Sequence, residues 1–271
     1  MITESNGVFH LQTEHYSYLL KINPWGLPEH LHFGAPISES DAFALSTRIG
    51  LGWGCSLLLD TDDTASSPDA MALEWSGSGR GDYRESPLEL SGTSSDFRYA
   101  GFEILDGSPA IACSLPQAQG AEETLILRFE QSGARLELYY TPYPTALVRR
   151  SVLKNTGERT LTMNKLMSMS MDIPGKFRMT TFNGGWIAEM HRQDTLVGRS
   201  KVVNESLTGS SSNRSNPGFL LSEPDATEHA GRVYGFNLIY SGNHYGSAQQ
   251  SLQGLTRVIQ GINPSFLVSI S

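Results

Sequence analysis

The sequence has few cysteines, no basic run and no long apolar segment. Of its 271 residues only two are cysteine, and 20 Lys and Arg against 28 Asp and Glu give a net charge of −8. Nucleic-acid backbones are bound by clustered Lys and Arg, so this balance argues against a nucleic-acid partner. No apolar run approaches the roughly 18–20 residues that cross a bilayer, and we therefore expect no membrane partner.

Signals for export and for a bound metal are also scarce. Residues 1–6 lack the charged and apolar segments of a secretory signal peptide, which predicts a cytoplasmic location. In that compartment Cys55 and Cys113 are expected to be two buried thiols rather than a disulfide. His30 and His32 have the spacing of a metal-ligand pair, but no third ligand follows at a suitable distance. We therefore predict solvated or hydrogen-bonded histidines, no metal and no cofactor.

The sequence does show a clear period of two. Residues 125–130 contain alternating sets of side chains, and residues 134–141 follow across Ser132-Gly133, which predicts a hairpin. One face of a further predicted strand, residues 160–173, consists of Met167, Met169, Met171 and Ile173. Many short strands with turn signals and no helical pattern predict an all-β protein, a large antiparallel β-sandwich (supersandwich). We expect residues 1–271 to form this single domain.

Glycine-containing apolar segments predict further strands. In residues 233–240 both alternating sets of side chains are largely apolar, which predicts a central strand that is covered on both faces. Gly235 within this segment predicts a bulge or a close backbone approach. Gly184-Gly185-Trp186 is expected to begin another strand that runs through His191. The apolar residues 266–270 predict a last one.

A long irregular segment, residues 36–82, follows the first strands. Unstructured segments of this length in compact domains are usually functional, mobile or part of an interface. At its end Asp82, Tyr83 and Arg84 follow two glycines and are suited to hold sugar hydroxyls. Trp75 lies nearby in the sequence as a candidate stacking face for the sugar. The alternative interpretation is an Asp–Arg pair that locks the loop.

Three stretches of the sequence carry motifs that occur together in one enzyme family. They are His30-Leu31-His32-Phe33-Gly34 with Leu73-Glu74-Trp75 and Gly81-Asp82-Tyr83-Arg84; residues 149–155 with Ser168-Met169-Ser170-Met171-Asp172; and Gly209-Ser210-Ser211-Ser212-Asn213, Asn216-Pro217, Glu228, residues 231–243, Arg257 and Gly261-Ile262-Asn263-Pro264. In this order, and over nearly the whole chain, they resemble the N-terminal domain of glycoside hydrolase family 36, the α-galactosidases and their α-N-acetylgalactosaminidase relatives.

The resemblance implies a β-sandwich that precedes a (β/α)8 barrel, and in that family the barrel carries both catalytic aspartates. We expect this chain to end before the barrel and to hold no catalytic residue of its own. In some bacterial members, loops of the N-terminal domain reach the active site of a neighbouring subunit, and the matching segment here is residues 40–84. The candidate substrate-binding residues that follow are Asp63, Trp75, Asp82 and Arg84.

Two hypotheses from different classes follow. The first is a non-catalytic N-terminal domain of an α-galactosidase with a structural and oligomerisation role. Its partner is then a catalytic barrel, in cis or in trans, or another subunit of a homo-oligomer, and its ligand a galactoside. The alternative is a freestanding carbohydrate-binding module that uses Trp53, Trp75, Asp82 and Arg84. A complete enzyme with an unrecognised pair of carboxylates is a third interpretation.

Overall fold

The computed structural model describes residues 1–45, 54–110, 116–264 and 268–270. One α-helix, α1, covers Glu39–Leu45, and short 3-10 turns cover Pro68–Ala70 and Ser78–Arg80. The strands are β1 Ile2–Ser5, β2 Val8–Gln12, β3 Ser17–Ile22, β4 Pro28–Gly34, β5 Leu88–Leu90, β6 Arg98–Asp106, β7 Glu123–Gln131, β8 Ala134–Tyr143, β9 Ala146–Asn155, β10 Leu161–Pro174, β11 Arg178–Gly185, β12 Ala188–Leu196, β13 Val202–Glu205, β14 Ser215–Ser222, β15 Val233–Phe236, β16 His244–Gln250, β17 Leu255–Ile262 and β18 Val268–Ile270. No helix in the described part of the chain is long and apolar enough to span a bilayer.

The described strands form four antiparallel sheets. Two are meanders, in the orders β1-β2-β3-β4 and β6-β7-β8-β9. A third has the order β13-β16-β17-β10-β18, with β5 also paired to β10, and the fourth has the order β12-β11-β14-β15. The fold-class prediction is thus confirmed.

One apolar core joins these sheets. Its buried side chains come from β2, β8, β10 and β14, with Phe9, Leu136, Met171 and Phe219 as examples. Each such side chain contributes about 1.5–3 kcal/mol by leaving water, so the shared core holds the sheets together. The predicted apolar face of β10 is confirmed, because Met167, Met169, Met171 and Ile173 are all buried.

The predicted hairpin at Ser132-Gly133 is also confirmed. β7 and β8 pair in a continuous register that ends at Gln131 and Ala134. Gly133 has a φ of 76°, in the left-handed region that glycine adopts without steric cost, and this allows the tight turn. The local turn signal therefore fixed both the position and the register of this hairpin.

The prediction of a central strand over residues 233–240 is wrong. The strand covers only Val233–Phe236, and it lies at the edge of its sheet beside β14. Val233 in this strand is 48% exposed, and Ile239, which lies beyond the end of the strand, is 53% exposed. The register runs continuously through Gly235, so the predicted bulge is absent from this pair of strands. Apolar alternation specifies a strand, but the sheet order depends on long-range pairing that this pattern does not encode.

Gly184-Gly185-Trp186 ends one strand and turns into the next, contrary to the prediction that it begins a strand. A Cβ atom at Gly184 would lie 1.8 Å from the carbonyl oxygen of Ala188, so glycine is required for the close approach of the two strands. Trp186 and Ile187 form the tip, 86% and 84% exposed. Ile187 has a φ of 64°, which is unusual for a β-branched residue. We call β11, β12 and this tip the hairpin arm.

Candidate functional site

Buried ion pairs connect the segment that ends at Asp82 to the two central strands, β10 and β17. Asp172 on β10 and Arg257 on β17 are direct cross-strand partners. Arg257 donates from Nε to Asp172 Oδ1 and from Nη2 to Asp172 Oδ2, both at 2.8 Å. The same Nη2 donates to Asp82 Oδ2 at 2.8 Å. One guanidinium therefore joins the sheet to the loop.

Arg84 completes this group, which we call the Arg257 cluster (Asp82, Arg84, Asp172 and Arg257). Its Nε and Nη2 donate to the two carboxylate oxygens of Asp82 at 2.9 and 3.1 Å. Nη2 also donates to the carbonyl oxygen of Pro68 at 2.8 Å, and Nη1 lies 2.9 Å from Asp172 Oδ2. The interpretation of an Asp–Arg pair that locks the loop is therefore confirmed.

The electrostatics of the Arg257 cluster keep the Asp82 carboxylate charged. Burial alone would raise the pKa of Asp82, but the positive charges of Arg257 and Arg84 outweigh it and lower that pKa to about 2. Burial likewise disfavours the Arg257 cation, and the charges of Asp172 and Asp82 instead raise its pKa. A carboxylate with so low a pKa has no proton to donate at neutral pH, so Asp82 is unsuited to general acid catalysis.

A second buried ionic group surrounds Glu74, which has no exposed surface. Arg149 Nη1 donates to Glu74 Oε2, and a hydrogen bond joins His30 Nδ1 to Glu74 Oε1, each at 2.7 Å. The hydroxyls of Tyr18 and Tyr140 also donate to this carboxylate. Burial would raise the pKa of Glu74, but Arg149 and His30 outweigh it and lower the pKa. We call these five residues the Glu74 cluster.

His30 is therefore a hydrogen-bonded core residue, as predicted. His32 forms a hydrogen bond of 2.9 Å between its Nε2 and the carbonyl oxygen of Ala35. In the pairing of β3 with β4, a register shift lies between His30, which is opposite Leu20, and His32, which is opposite Leu19. The described residues contain no group of three potential metal ligands.

An open cleft of about 670 Å³ lies beside the Arg257 cluster. We call it the Tyr83 cleft. It is lined by Ser78, Asp82, Tyr83, Arg84, Glu85, Ser86, Glu89, Lys165, Lys201, Gln249, Gln250, Ser251 and Arg257. Its volume is within the range of small-molecule sites, and each of its lining residues carries a polar group.

Glu85 is the best-connected carboxylate of the Tyr83 cleft. Lys165 Nζ donates to it at 2.9 Å, and Lys201 Nζ lies 2.8 Å from its other oxygen. The hydroxyls of Tyr245 and Ser247 donate to it at 2.8 and 2.9 Å. Burial would raise the pKa of Glu85, but its contacts with Lys201 and Lys165 lower that pKa to about 2. No sequence pattern indicated these two lysines, since each comes from a distant strand or loop.

Glu85→Gln is expected to reduce stability in a pH-dependent way. The folded-state pKa of about 2 lies below the ordinary 4.5, so the carboxylate stabilises the fold above pH 4.5 and loses that effect as the pH falls to about 2. The expected loss at neutral pH is about 2 kcal/mol, with allowance for solvent screening of the exposed part of Lys201. Urea unfolding at successive pH values should show the difference from wild type shrinking over that range.

The matched control is Glu89→Gln. Glu89 also contacts Lys165, at 3.4 Å, but about half of its side chain is exposed. Solvent screens such a contact, so this variant should unfold within about 0.5 kcal/mol of wild type at every pH. Equal, pH-independent losses for both variants would contradict the assignment of the acid dependence to Glu85.

The structure separates the four residues predicted to bind substrate. Asp82 and Arg84 line the Tyr83 cleft, but their charged groups are engaged with each other and with Arg257. Trp75 is only 3% exposed and packs in the core, so its ring offers no stacking face in this structure. Asp63 accepts a hydrogen bond from the backbone N–H of Ala65 at 2.8 Å and shapes a turn away from the cleft lining. Contact of these residues with a sugar stays a prediction.

Two residues named in the sequence analysis, Trp53 and Cys113, lie outside the described residues. The binding-module hypothesis also uses Trp53. Of the two cysteines, Cys55 has a free thiol but is half-buried rather than buried, and Cys113 lies outside the described residues. Sequence reasoning missed Lys165, Lys201 and the exposed position of Tyr83, which only the folded chain brings to one cleft.

Comparison with known proteins identifies the family. The sequence profile of the glycosyl hydrolase family 36 N-terminal domain matches residues 26–268. The chain is 32% identical to α-galactosidase Mel36A of Lactobacillus acidophilus, covering 96% of this chain and 37% of that protein. It is 34% identical to the probable α-galactosidase C of Aspergillus oryzae, covering 98% of this chain and 36% of that protein. The chain thus spans little more than a third of the length of these relatives.

Solved structures give the same result. The galactosidase domain of the α-galactosidase–sucrose kinase AgaSK matches with a TM-score of 0.91 and 27% identity, over 100% of this chain and 40% of that chain. The family 36 α-galactosidase AgaB of Geobacillus stearothermophilus matches with a TM-score of 0.90 and 26% identity, over 100% of this chain and 39% of that chain. The resemblance predicted from the motifs is therefore confirmed, and the chain belongs to the glycosyl hydrolase family 36 N-terminal domain family.

Proposed function

We propose that this chain is the non-catalytic N-terminal domain of an α-galactosidase, which supports a catalytic barrel in the same chain or in a separate one. The observation that carries this proposal is the family match over residues 26–268 together with the coverage of little more than a third of the relatives. The relatives are α-galactosidases by name, and the family resemblance implies that their catalytic aspartates lie in the barrel.

The state of the carboxylates supports a non-catalytic role. Glycoside hydrolysis requires two carboxyl groups across one bond, and one of them must keep a proton near neutral pH. Asp82 and Glu85, which line the Tyr83 cleft, instead have pKa values lowered to about 2. Both are bound to arginine or lysine, so within the described residues they are suited to hold structure rather than to transfer protons.

The hairpin arm supports a role in contacts with the barrel or another subunit. All nine residues of β12 are exposed, and Trp186 and Ile187 project from the tip. Exposed apolar groups of this size mark interaction surfaces, and an edge strand is open to a partner. We therefore propose that the hairpin arm contacts the barrel or a neighbouring subunit of a homo-oligomer, and that the segment before Asp82 approaches a partner's galactoside site.

An activity assay tests the non-catalytic role. The isolated chain is expected to hydrolyse a nitrophenyl α-galactoside no faster than buffer, whereas an equal concentration of a full-length relative turns the substrate over. Turnover by the isolated chain, proportional to its concentration, would contradict the non-catalytic role.

The cytoplasmic location of this chain stays a prediction. Fractionation of the source cells tests it.

A chimera tests the supporting role. Residues 1–271 replace the matching N-terminal part of the Lactobacillus acidophilus relative, and the chimera is expected to be active on the same substrate. The control is the remainder of that relative without an N-terminal part, which should be less active or poorly folded. Equal activity of the remainder and the chimera would show that this domain contributes nothing to the barrel.

A further inference from the structure

A narrow pocket, which we call the Trp75 pocket, lies between the segment that carries Trp75 and strand β7. Trp75, Ser76 and Arg80 are among its lining residues, as is Phe129 of β7. Its volume is about 10 Å³. A polar cavity of about 10–15 Å³ holds one water molecule. The Trp75 pocket is therefore the size of a single very small ligand.

Three residues of the Trp75 pocket each have a buried polar atom without a hydrogen-bond partner among the described residues. The atoms are Nε1 of Trp75, Oγ of Ser76 and Nε of Arg80. In the described part of the chain only eight buried side-chain nitrogen and oxygen atoms lack a partner, so three at one pocket is a concentration. Buried polar groups are almost always hydrogen-bonded, because burial removes them from bulk water. The three atoms therefore indicate a common ligand.

The chemistry of the three groups defines that ligand. An indole N–H and a guanidinium Nε–H can only donate, so Trp75 and Arg80 cannot satisfy each other. The hydroxyl of Ser76 can both donate and accept. A common ligand must accept a hydrogen bond from Trp75 and another from Arg80, and it must pair with a hydroxyl. A water molecule accepts two hydrogen bonds and donates two, so it meets all of these requirements.

The backbone around the Trp75 pocket is already packed as closely as it can be. A Cβ atom at Gly77 or Gly79 would lie 2.6 or 2.7 Å from atoms of Ser95, so only glycine allows this approach. Gly79 also donates its backbone N–H to the carbonyl oxygen of Ser95 at 3.0 Å. Nη2 of Arg80 donates to the carbonyl oxygen of Trp25 at 2.6 Å and so holds the guanidinium in place. The three polar groups are therefore fixed apart from one another.

The ligand of the Trp75 pocket is also expected to be neutral. Leu27 and Phe97 add buried apolar surface to the wall. Arg80 is the one charged residue among the described lining residues, and Oδ1 of Asp96 lies 3.5 Å from its Nη1. Because Asp96 already balances this charge, an anion would lose its hydration without gaining an unpaired cation.

We propose that the Trp75 pocket binds one structural water molecule. The water accepts hydrogen bonds from Nε1 of Trp75 and Nε of Arg80 and donates one to Oγ of Ser76. It thereby joins the segment of Trp75 to the turn at Ser78–Arg80, so residues 77–85 are held at this pocket as well as at Arg257. All groups of the site are in this chain, and the site does not depend on the proposed non-catalytic or supporting role.

NMR measurement of water contacts on the full chain tests this proposal. An NOE and an ROE of opposite sign between an indole N–H and the water signal mark a water molecule that tumbles with the protein. We expect this pair of signals for Trp75, whose indole resonance is assigned by its loss in Trp75→Phe. The control is the indole of Trp186, which is 86% exposed and should not show the pair. Trp186→Phe assigns that resonance.

Two variants of Ser76 distinguish a bound water from the serine hydroxyl, whose proton also exchanges with water. Ser76→Ala removes the hydroxyl but leaves the pocket open, so the pair of signals at Trp75 should remain. Ser76→Val fills the pocket with methyl groups and should abolish the pair. The amide spectrum shows whether Ser76→Val is folded, since overpacking is destabilising. If it is unfolded, the wild-type and Ser76→Ala spectra decide the proposal.

Four outcomes would overturn the proposal. The first is a wild-type spectrum without the pair of signals at Trp75, and the second is loss of the pair in Ser76→Ala, which would assign it to the hydroxyl. The third is persistence of the pair in a folded Ser76→Val. The fourth is a saturable shift of the Trp75 indole nitrogen when chloride replaces sulfate at constant ionic strength, which would identify an anion. None of these results bears on the assays of the isolated chain and the chimera.

Discussion

Replacing Glu74 with glutamine is expected to lower the free energy of unfolding by about 3–5 kcal/mol. The substitution keeps the shape of the side chain but removes the charge that balances Arg149, whose guanidinium is 9% exposed and bonded to Glu74 at 2.7 Å. An unpaired buried cation costs several kcal/mol, and the hydrogen bonds from His30 and two tyrosines weaken at the same time. Urea unfolding at neutral pH, followed by circular dichroism, measures the change.

Glu130→Gln is the control for this variant. Glu130 also forms an ion pair with an arginine, Arg135, at 2.8 Å, but both side chains are 40–50% exposed at the surface of β7 and β8. Exposed pairs contribute about 0–1 kcal/mol, so the unfolding midpoint should hardly move. Equal stability of Glu74→Gln and this control would show that the Glu74 cluster does not stabilise the fold as its geometry indicates.

Arg257→Met is expected to lower the free energy of unfolding by a similar amount, about 3–5 kcal/mol, for a different physical reason. Methionine fills most of the volume but leaves Asp82 and Asp172 to share the single guanidinium of Arg84. Both carboxylates are fully or nearly fully buried, so their mutual repulsion is poorly screened. Hydrogen exchange should show the largest loss of protection in residues 77–85, because Arg257 no longer holds that segment to β17.

Arg232→Met is the matched control, since Arg232 pairs with Glu223 at 2.9 Å at an exposed position. It should leave both the unfolding midpoint and the protection of residues 77–85 unchanged. Arg257→Met could lose stability globally without faster amide hydrogen exchange in residues 77–85. That result would show that the Arg257 cluster stabilises only the pairing of the two strands. The predicted link to the loop would then be wrong.

Local patterns predicted those elements whose partners are close in the sequence. The hairpin of β7 and β8 followed from alternation around one turn, and the apolar face of β10 followed from its period of two. In each case the side chains that decide the structure are near neighbours, so the sequence displays the cause directly.

The position of a strand within its sheet could not be predicted from such local patterns. Residues 233–240 have the composition of a covered strand, yet β15 has one neighbour, β14, in the described sheet. Both the sheet order and the covering of a face depend on segments far away in the chain. Ile239, which the pattern placed in the covered strand, is 53% exposed.

The ionic clusters were beyond sequence reasoning for a related reason. Asp82 and Arg84 are two residues apart, and their pairing was foreseen as an alternative. Arg257, however, is 175 residues from Asp82, and Arg149 is 75 residues from Glu74. No periodicity links such positions, and a charge in a strand usually indicates a solvated face. The motifs of the family located most of these residues, but only the folded chain shows which of them are partners.

The attachment of residues 77–85 to β10 and β17 has a thermal consequence. A loop that is tied down only by surface contacts melts before the body of a protein, and any recognition surface on it disappears at that lower temperature. Here the ionic contacts are buried, at Arg257, so loosening the loop requires buried ion pairs to break. The order of residues 77–85 should therefore persist close to the global melting point and vanish with it in one cooperative step.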